Sequence, residues 1–355
     1  MERRLSALHN KLYAELLQTL EYANLEFFGP TLREGTLTRR NINGKAYWYF
    51  KRMTNGVTDY IYVGPDTPAL AEHMSTAKST KTVLKQQTRA LLGAGGFAYR
   101  GIASKVLGAM NDAGLFAAGT VLVGTNAFLA YQDMLGLRWG TPHETLSTGD
   151  IDFAHVTKLS VGIALNVVEP VRDSLLRLEA KPFHRSLTQT GSPWIYRIQD
   201  EAGAFDIEFL TPLVGREPKE SKSVNIPWIG VGAQPLRFMD YLIEAPVRVA
   251  LLVERGAILA NVPDPGRFAL HKIIVAERRP ASLITKKRKD RLQAGAIIEE
   301  LARNAPEVLR SAWEDLVQKH PKWGALVKAG SQSLSPSAYD AIQLCMSGVR
   351  TRENR

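Results

Sequence analysis

Apolar residues recur at helical spacing from the start of the chain. Leu5, Leu8, Leu12, Leu16, Leu17, Leu20 and Tyr22 form one stripe, which predicts a helix over about 2–27. From about 34 the period shortens to two. Tyr47-Trp48-Tyr49-Phe50 and Tyr60-Ile61-Tyr62-Val63 are strand-like, and Asn43-Gly44 and Asn55-Gly56 are hairpin dipeptides. The pattern predicts an antiparallel meander over about 35–41, 46–53 and 58–63. Helical spacing returns over about 67–93 and 99–114. Gly93-Ala94-Gly95-Gly96-Phe97-Ala98 has the letters of a dinucleotide fingerprint, but a helix precedes it where the fingerprint needs a strand. Its glycines read as the turn between two helices.

The middle of the chain alternates short strands with helices. Thr120–Val123 is an apolar strand, and Gly124-Thr125-Asn126-Ala127 turns from it into a helix over 126–136. Strand-like stretches follow at Asp150–Phe153, Leu159–Leu165, 184–190, 193–199 and 204–212, with a helix at Glu169–Leu178. After about 260 the pattern is helical: Phe268–Arg279, Lys286–Gln293, and a tail over about 305–348. The expected fold class is α+β. It has an N-terminal helix, β-meander and helical region over 1–114, a core of mixed sheet with flanking helices over 115–260, and a helical domain over 261–355.

Composition changes this picture little. Of 355 residues, 45% are hydrophobic and 23% charged, ordinary for a folded chain. No apolar run approaches the roughly 20 residues that span a bilayer, and the N-terminus lacks the apolar core of a signal peptide, so a cytoplasmic protein is expected. The single cysteine, Cys345, excludes an intrachain disulfide and a thiolate cluster. The net charge of +10 favours a polyanionic partner. Arg39, Arg40, Lys45, Lys51 and Arg52 lie among the meander's aromatics, a combination that suits nucleic acid and equally a small sheet with one solvated basic face.

The chemistry centres on Thr148-Gly149-Asp150-Ile151-Asp152-Phe153. In an extended chain Asp150 and Asp152 share one face while Ile151 points into the core. Two carboxylates on one face repel unless a cation lies between them, and hard divalent ions accept such oxygen ligands together with phosphates. Upstream, the Gly124-Thr125 turn opens a helix whose N-terminal N–H groups suit a triphosphate. Downstream, Asp206 and Glu208 share a face of another strand, and either can supply a third acid. Asp-rich turns are common, so the pair gains meaning from these neighbours. A metal-dependent glycosyltransferase can also carry an Asp-x-Asp triplet, but the Gly124-Thr125 turn disfavours it.

The order of apolar strand, Gly-Thr turn, helix, Asp-x-Asp and later acidic strand resembles the DNA polymerase β-like nucleotidyltransferase superfamily. Lys272, Arg279 and the Lys289-Asp290 pair are similar to the helical motif of bacterial abortive-infection (type IV toxin) nucleotidyltransferases. The resemblance covers roughly 115–300. It implies Mg²⁺ or Mn²⁺ held by Asp150, Asp152 and a third acid, Glu208 or Asp206. It implies a triphosphate bound by Gly124, Thr125 and Lys272, with Arg279 beside it and Asp290 as an accessory acid. The expected reaction moves an NMP from an NTP to an acceptor hydroxyl. RNA or tRNA is the favoured acceptor, a protein or small molecule the alternative, and a cognate antitoxin a further partner. A rival reading is a non-catalytic nucleic-acid-binding protein on a degenerate core. The long interval from Gly124 to Asp150 calls for an inserted surface loop over Arg138–Leu146.

Overall fold

The computed structural model describes residues 3–26, 36–54, 57–156, 171–184, 191–201, 203–215, 222–227 and 229–347. The expected strand at 159–165, and all but His184 of the one at 184–190, lie outside these residues.

A mixed sheet forms the centre. Its strands run in the order Val224–Ile226, Val231–Leu236, Gly203–Pro212, Asp150–Ala154, Val121–Val123, Gly256–Val262 and Val247–Val253. Ile195–Asp200 also pairs with Gly203–Pro212, antiparallel. Gly203–Pro212 is therefore the hub, because it is parallel to Asp150–Ala154 on one side and to Val231–Leu236 on the other. One face of the central strands is apolar and buried under helices, through Ile151, Phe153, Ile207 and Phe209, while the acids take the other. The strands at 224–226, 231–236, 247–253 and 256–262 extend the expected sheet on both edges. The run Val247–Val253 and its partner Gly256–Val262 form a hairpin in full register.

The helices pack on this sheet. Gly101–Asp112 and Gly124–Met134 flank it, and Pro265–Arg278 lies against Ile284–Asn304. Asp264 caps the Pro265–Arg278 helix by accepting from Arg267 N–H at 3.0 Å, with Pro265 in the first turn. The three last helices, Pro306–Lys319, Pro321–Ser331 and Pro336–Ser347, each begin at a proline, whose fixed φ and missing N–H suit a helix start. Sheet and C-terminal helices share one buried apolar cluster that includes Phe128, Phe153, Phe209, Phe268 and Trp313. Cys345 is buried within it.

The N-terminal helix, Ala7–Glu26, docks on the sheet through Tyr13, Leu16 and Leu20. His9 Nε2 lies 3.2 Å from Asp133 Oδ1, and Asp133 also accepts from Phe97 N–H and from Arg138. The Pro68–Gly93 helix ends in the glycine turn, where Gly95 takes φ +93° and Gly96 packs tightly against Leu91 and Leu252. The meander forms a separate sheet in the order Thr36–Ile42, Lys45–Thr54, Val57–Pro65.

The stretch expected as an inserted surface loop is only partly one. Leu137–Arg138 pairs with Arg3–Arg4, Trp139 stacks on Phe128 with ring centres 4.6 Å apart, and Thr145 is fully buried. Gly140, Pro142 and His143 stay exposed, but the interval between Gly124 and Asp150 anchors both the Arg3–Arg4 strand and the Ile284–Asn304 helix. No helix among the described residues is long and apolar enough to cross a membrane.

Candidate active site

Strand pairing assembles the acids. Asp150–Ala154 lies between Val121–Val123 and Gly203–Pro212. Val123 is opposite Asp152 on the antiparallel side. On the parallel side Asp206 is level with Asp150, and Glu208 with Asp152. The apolar residues between the acids, Ile151, Phe153, Ile207 and Phe209, are buried and fix which face the carboxylates take. A shift of one residue in either strand would turn its acids into the apolar core and its apolar residues toward the acid face.

Asp150, Asp152 and Glu208 each offer an oxygen, and these oxygens all lie within 4.8 Å of one another. Asp150 and Asp152 are half-buried, and Glu208 is buried. Asp206 faces a different partner: Arg197 Nε donates to its Oδ1 at 2.7 Å and Nη2 to its Oδ2 at 3.0 Å. The fork follows from register, because Arg197 is level with Asp206 across the antiparallel pair. The Arg197 guanidinium also lies 3.4 Å over the Phe183 ring.

Gly124 closes the other side. The helix Gly124–Met134 starts directly after Val123, so the expected small-residue turn is itself its first turn. Gly124 takes φ +64°, and a Cβ there would overlap Asp152 Oδ2. Two more links hold this helix to the acid strand. Asn126 Nδ2 donates to the Asp150 carbonyl at 2.9 Å, and Tyr99 OH donates to the Asn126 carbonyl at 2.6 Å. The Thr148 hydroxyl donates to Asp150 Oδ1.

The Ile284–Asn304 helix completes the surroundings. Gln293 is buried and donates to the Thr145 carbonyl at 3.0 Å, with Thr125 Oγ1 at 3.4 Å. Four residues earlier, on the same helix face, Lys289 donates to the Ser147 carbonyl at 2.7 Å. Burial, and next the nearby Lys272 charge, hold the Lys289 ammonium below its ordinary pKa, while Asp150, Asp290 and Asp152 act in the opposite direction. A cation therefore stands within electrostatic reach of both aspartates. In the sequence Lys289 reads only as half of a basic-Asp pair, and Gln293 belongs to no motif. The signal was their i, i+4 spacing on one helix, which puts both toward the same neighbour.

Lys272, Arg279 and Asp290 come together, but with one another. Lys272 Nζ donates to Asp290 Oδ1 at 2.8 Å and Arg279 Nε to Oδ2 at 2.6 Å. Burial pushes the Asp290 carboxyl upward, yet Lys272 and Arg279 outweigh it and the net direction is down. His271, beside this cluster, is buried and lowered to about 3, chiefly by burial, so it is a neutral packing residue.

A central sheet carrying three clustered carboxylates that could hold a metal ion, with a glycine-opened helix against them, defines the α+β core. A family model described as nucleotidyltransferase matches residues 102–318. That is more than half of the chain, and the protein belongs to this nucleotidyltransferase family. No curated protein matches. One solved structure, an antigenic nucleotidyltransferase-like protein from Paracoccidioides brasiliensis, is similar at 16% identity and a TM-score of 0.30, covering 62% of this chain and 92% of the other.

Proposed function

We propose that the protein transfers an NMP from an NTP to an acceptor hydroxyl, releasing pyrophosphate. The observation that carries this reading is the meeting of Asp150, Asp152 and Glu208 within 4.8 Å in a chain of the nucleotidyltransferase family. Three hard oxygen donors, with no nitrogen or sulfur ligand in the cluster among the described residues, fit Mg²⁺ or Mn²⁺ better than a softer metal. When bound, such a cation neutralises phosphate charge and acidifies a hydroxyl.

The chain's own residues do the rest. Asp150 and Asp152 hold the cation, and Glu208 completes the set and takes the proton from the acceptor oxygen. Gly124 keeps the helix start flush against Asp152, and the N–H groups of that first turn bind the triphosphate with the Thr125 hydroxyl. Lys289 adds positive charge beside the transferring phosphate, where fixed charge lowers the barrier. Lys272 and Arg279 reach the nucleotide only by sharing their bonds to Asp290, so they orient the helix pair as well.

RNA, with tRNA among the possibilities, is the acceptor that the net charge of +10 favours. The likeness of Lys272, Arg279 and Lys289-Asp290 to the abortive-infection enzymes supports a toxin-like role with a cognate antitoxin. To test the reaction, the protein is incubated with α-phosphate-labelled NTPs, divalent metal, total RNA and lysate protein. Label in RNA supports the reading, and label in protein moves the acceptor. Label in neither, with no pyrophosphate released, refutes the transfer.

A further inference from the structure

The three-stranded meander has two unlike faces. On one, Leu37 and Phe50 are buried against Ala23, Met74 and Ala77. Trp48 is on this side too, and its Nε1 donates to Asp66 at 2.7 Å, while Arg39 pairs with the same carboxylate at 2.5 Å. The other face carries Arg40, Tyr47, Tyr49, Lys51, Tyr60 and Tyr62, which register and alternation bring together. Tyr60 and Tyr62 are 40% and 54% exposed. The Tyr62 ring centre lies 6.0 Å from Tyr47 and 5.6 Å from Tyr49. The Arg40 guanidinium lies 4.0 Å over Tyr60 and 5.9 Å over Tyr49.

The outward face of an antiparallel sheet is ordinarily polar. Here it is four phenol rings and their cations, and no Asp or Glu falls on its alternating positions from Thr36 to Tyr62. Arg39, a cation neutralised by an acid, is turned to the other face. We propose that this face binds single-stranded RNA, with bases stacked on the tyrosines and phosphates held by Arg40 and Lys51. Charge complementarity selects a polyanion, and the rings select one whose base faces are open, which a duplex hides. Strands spaced by about 4.8 Å give a platform for two or three bases. The phenol hydroxyls at its rim provide partners for the ribose 2′-OH, which distinguishes RNA from DNA. The choice of RNA as the bound chain agrees with the acceptor proposed above, but binding here does not require the carboxylate centre.

The test uses the full chain without NTP and a fluorescent RNA of about 12 nucleotides, a length suited to such a platform. Anisotropy is expected to show binding that weakens steeply with salt. The Tyr60→Ala/Tyr62→Ala double variant binds on the order of tenfold more weakly or worse, and Tyr60→Phe/Tyr62→Phe, which keeps the rings, retains most of the affinity. Arg40→Gln/Lys51→Gln weakens binding and flattens its salt response, and it carries the test if the alanine pair fails to melt cooperatively. Undiminished affinity in these folded variants, absence of RNA binding by the parent, or equal affinity for DNA of the same sequence would overturn the proposal. Asp152→Asn separates the two readings: it retains RNA affinity while losing transfer. If it transfers NMP normally while the tyrosine variants lose RNA, the reaction assignment fails and the platform stands.

Discussion

Arg197 grips Asp206 through two hydrogen bonds, at 2.7 and 3.0 Å, while Glu208, two residues on, stands with Asp150 and Asp152. Alternation puts both acids on one face, so only their neighbours separate them. Glu208→Gln is expected to lower NMP transfer by about 10²-fold or more. Asp206→Asn leaves transfer largely intact and costs about 1 kcal/mol or less, since the Arg197 side chain is 31% exposed. Steady-state rates and denaturant midpoints of the two variants check this. The opposite ranking in rate would make Asp206 the third acid.

Gly124 is constrained twice, by φ +64° and by Asp152. Gly124→Ala is expected to cost about 1–2 kcal/mol from the left-handed backbone. It also displaces the Asp152 carboxylate and weakens divalent binding. A Mn²⁺ titration followed by electron paramagnetic resonance, run beside a thermal melt, checks both. Unchanged metal affinity in that variant would contradict the close approach.

Asp290 is buried with two cations on it, so removing it should cost far more than removing either of them. Asp290→Asn is expected to lose about 3–5 kcal/mol. Lys272→Met leaves Arg279 on the carboxylate and loses less. Urea unfolding of the two variants gives the comparison, and equal losses would mean that the cluster does not act as a unit.

Acid should destabilise the fold through His155, which follows the acid strand and has its ring within 3.2 Å of Thr120 Oγ1. Burial lowers its pKa from 6.5 to about 4. The unfolded chain therefore takes the proton first. Stability is complete above about pH 6.5 and falls by up to about 1.4 kcal/mol per unit as pH drops toward 4. His271 acts in the same direction. Urea midpoints across that range should flatten in His155→Gln, and a parent curve with no slope there would contradict the buried neutral ring.

Much of this centre is legible in the chain because strands and short motifs carry it. The period-two runs at Asp150–Phe153 and Ala204–Pro212 give the acids their shared faces, and the glycine before Thr125 marks the helix start. Which strands are neighbours is set by long-range pairing, and only that pairing brings Glu208 level with Asp152. The same holds for Arg197, whose partner is fixed by register across the Ile195–Asp200 strand. Trp139 and Thr145 read as loop residues because their burial comes from folding back, Trp139 onto Phe128 and Thr145 onto Gln293 of a helix far along the chain. Lys272 reads as a phosphate ligand, and its bond to Asp290, 18 residues on, becomes visible only when the two helices pack.

The central claim is that Asp150, Asp152 and Glu208 form one centre for NMP transfer. The most direct measurement compares α- and γ-phosphate-labelled NTPs with total RNA and Mg²⁺, for the parent and for Asp152→Asn. The account predicts that the α label enters the acceptor, the γ label leaves as pyrophosphate, and Asp152→Asn, still folded, does neither. Transfer of the γ label, or an undiminished rate in Asp152→Asn, would contradict it.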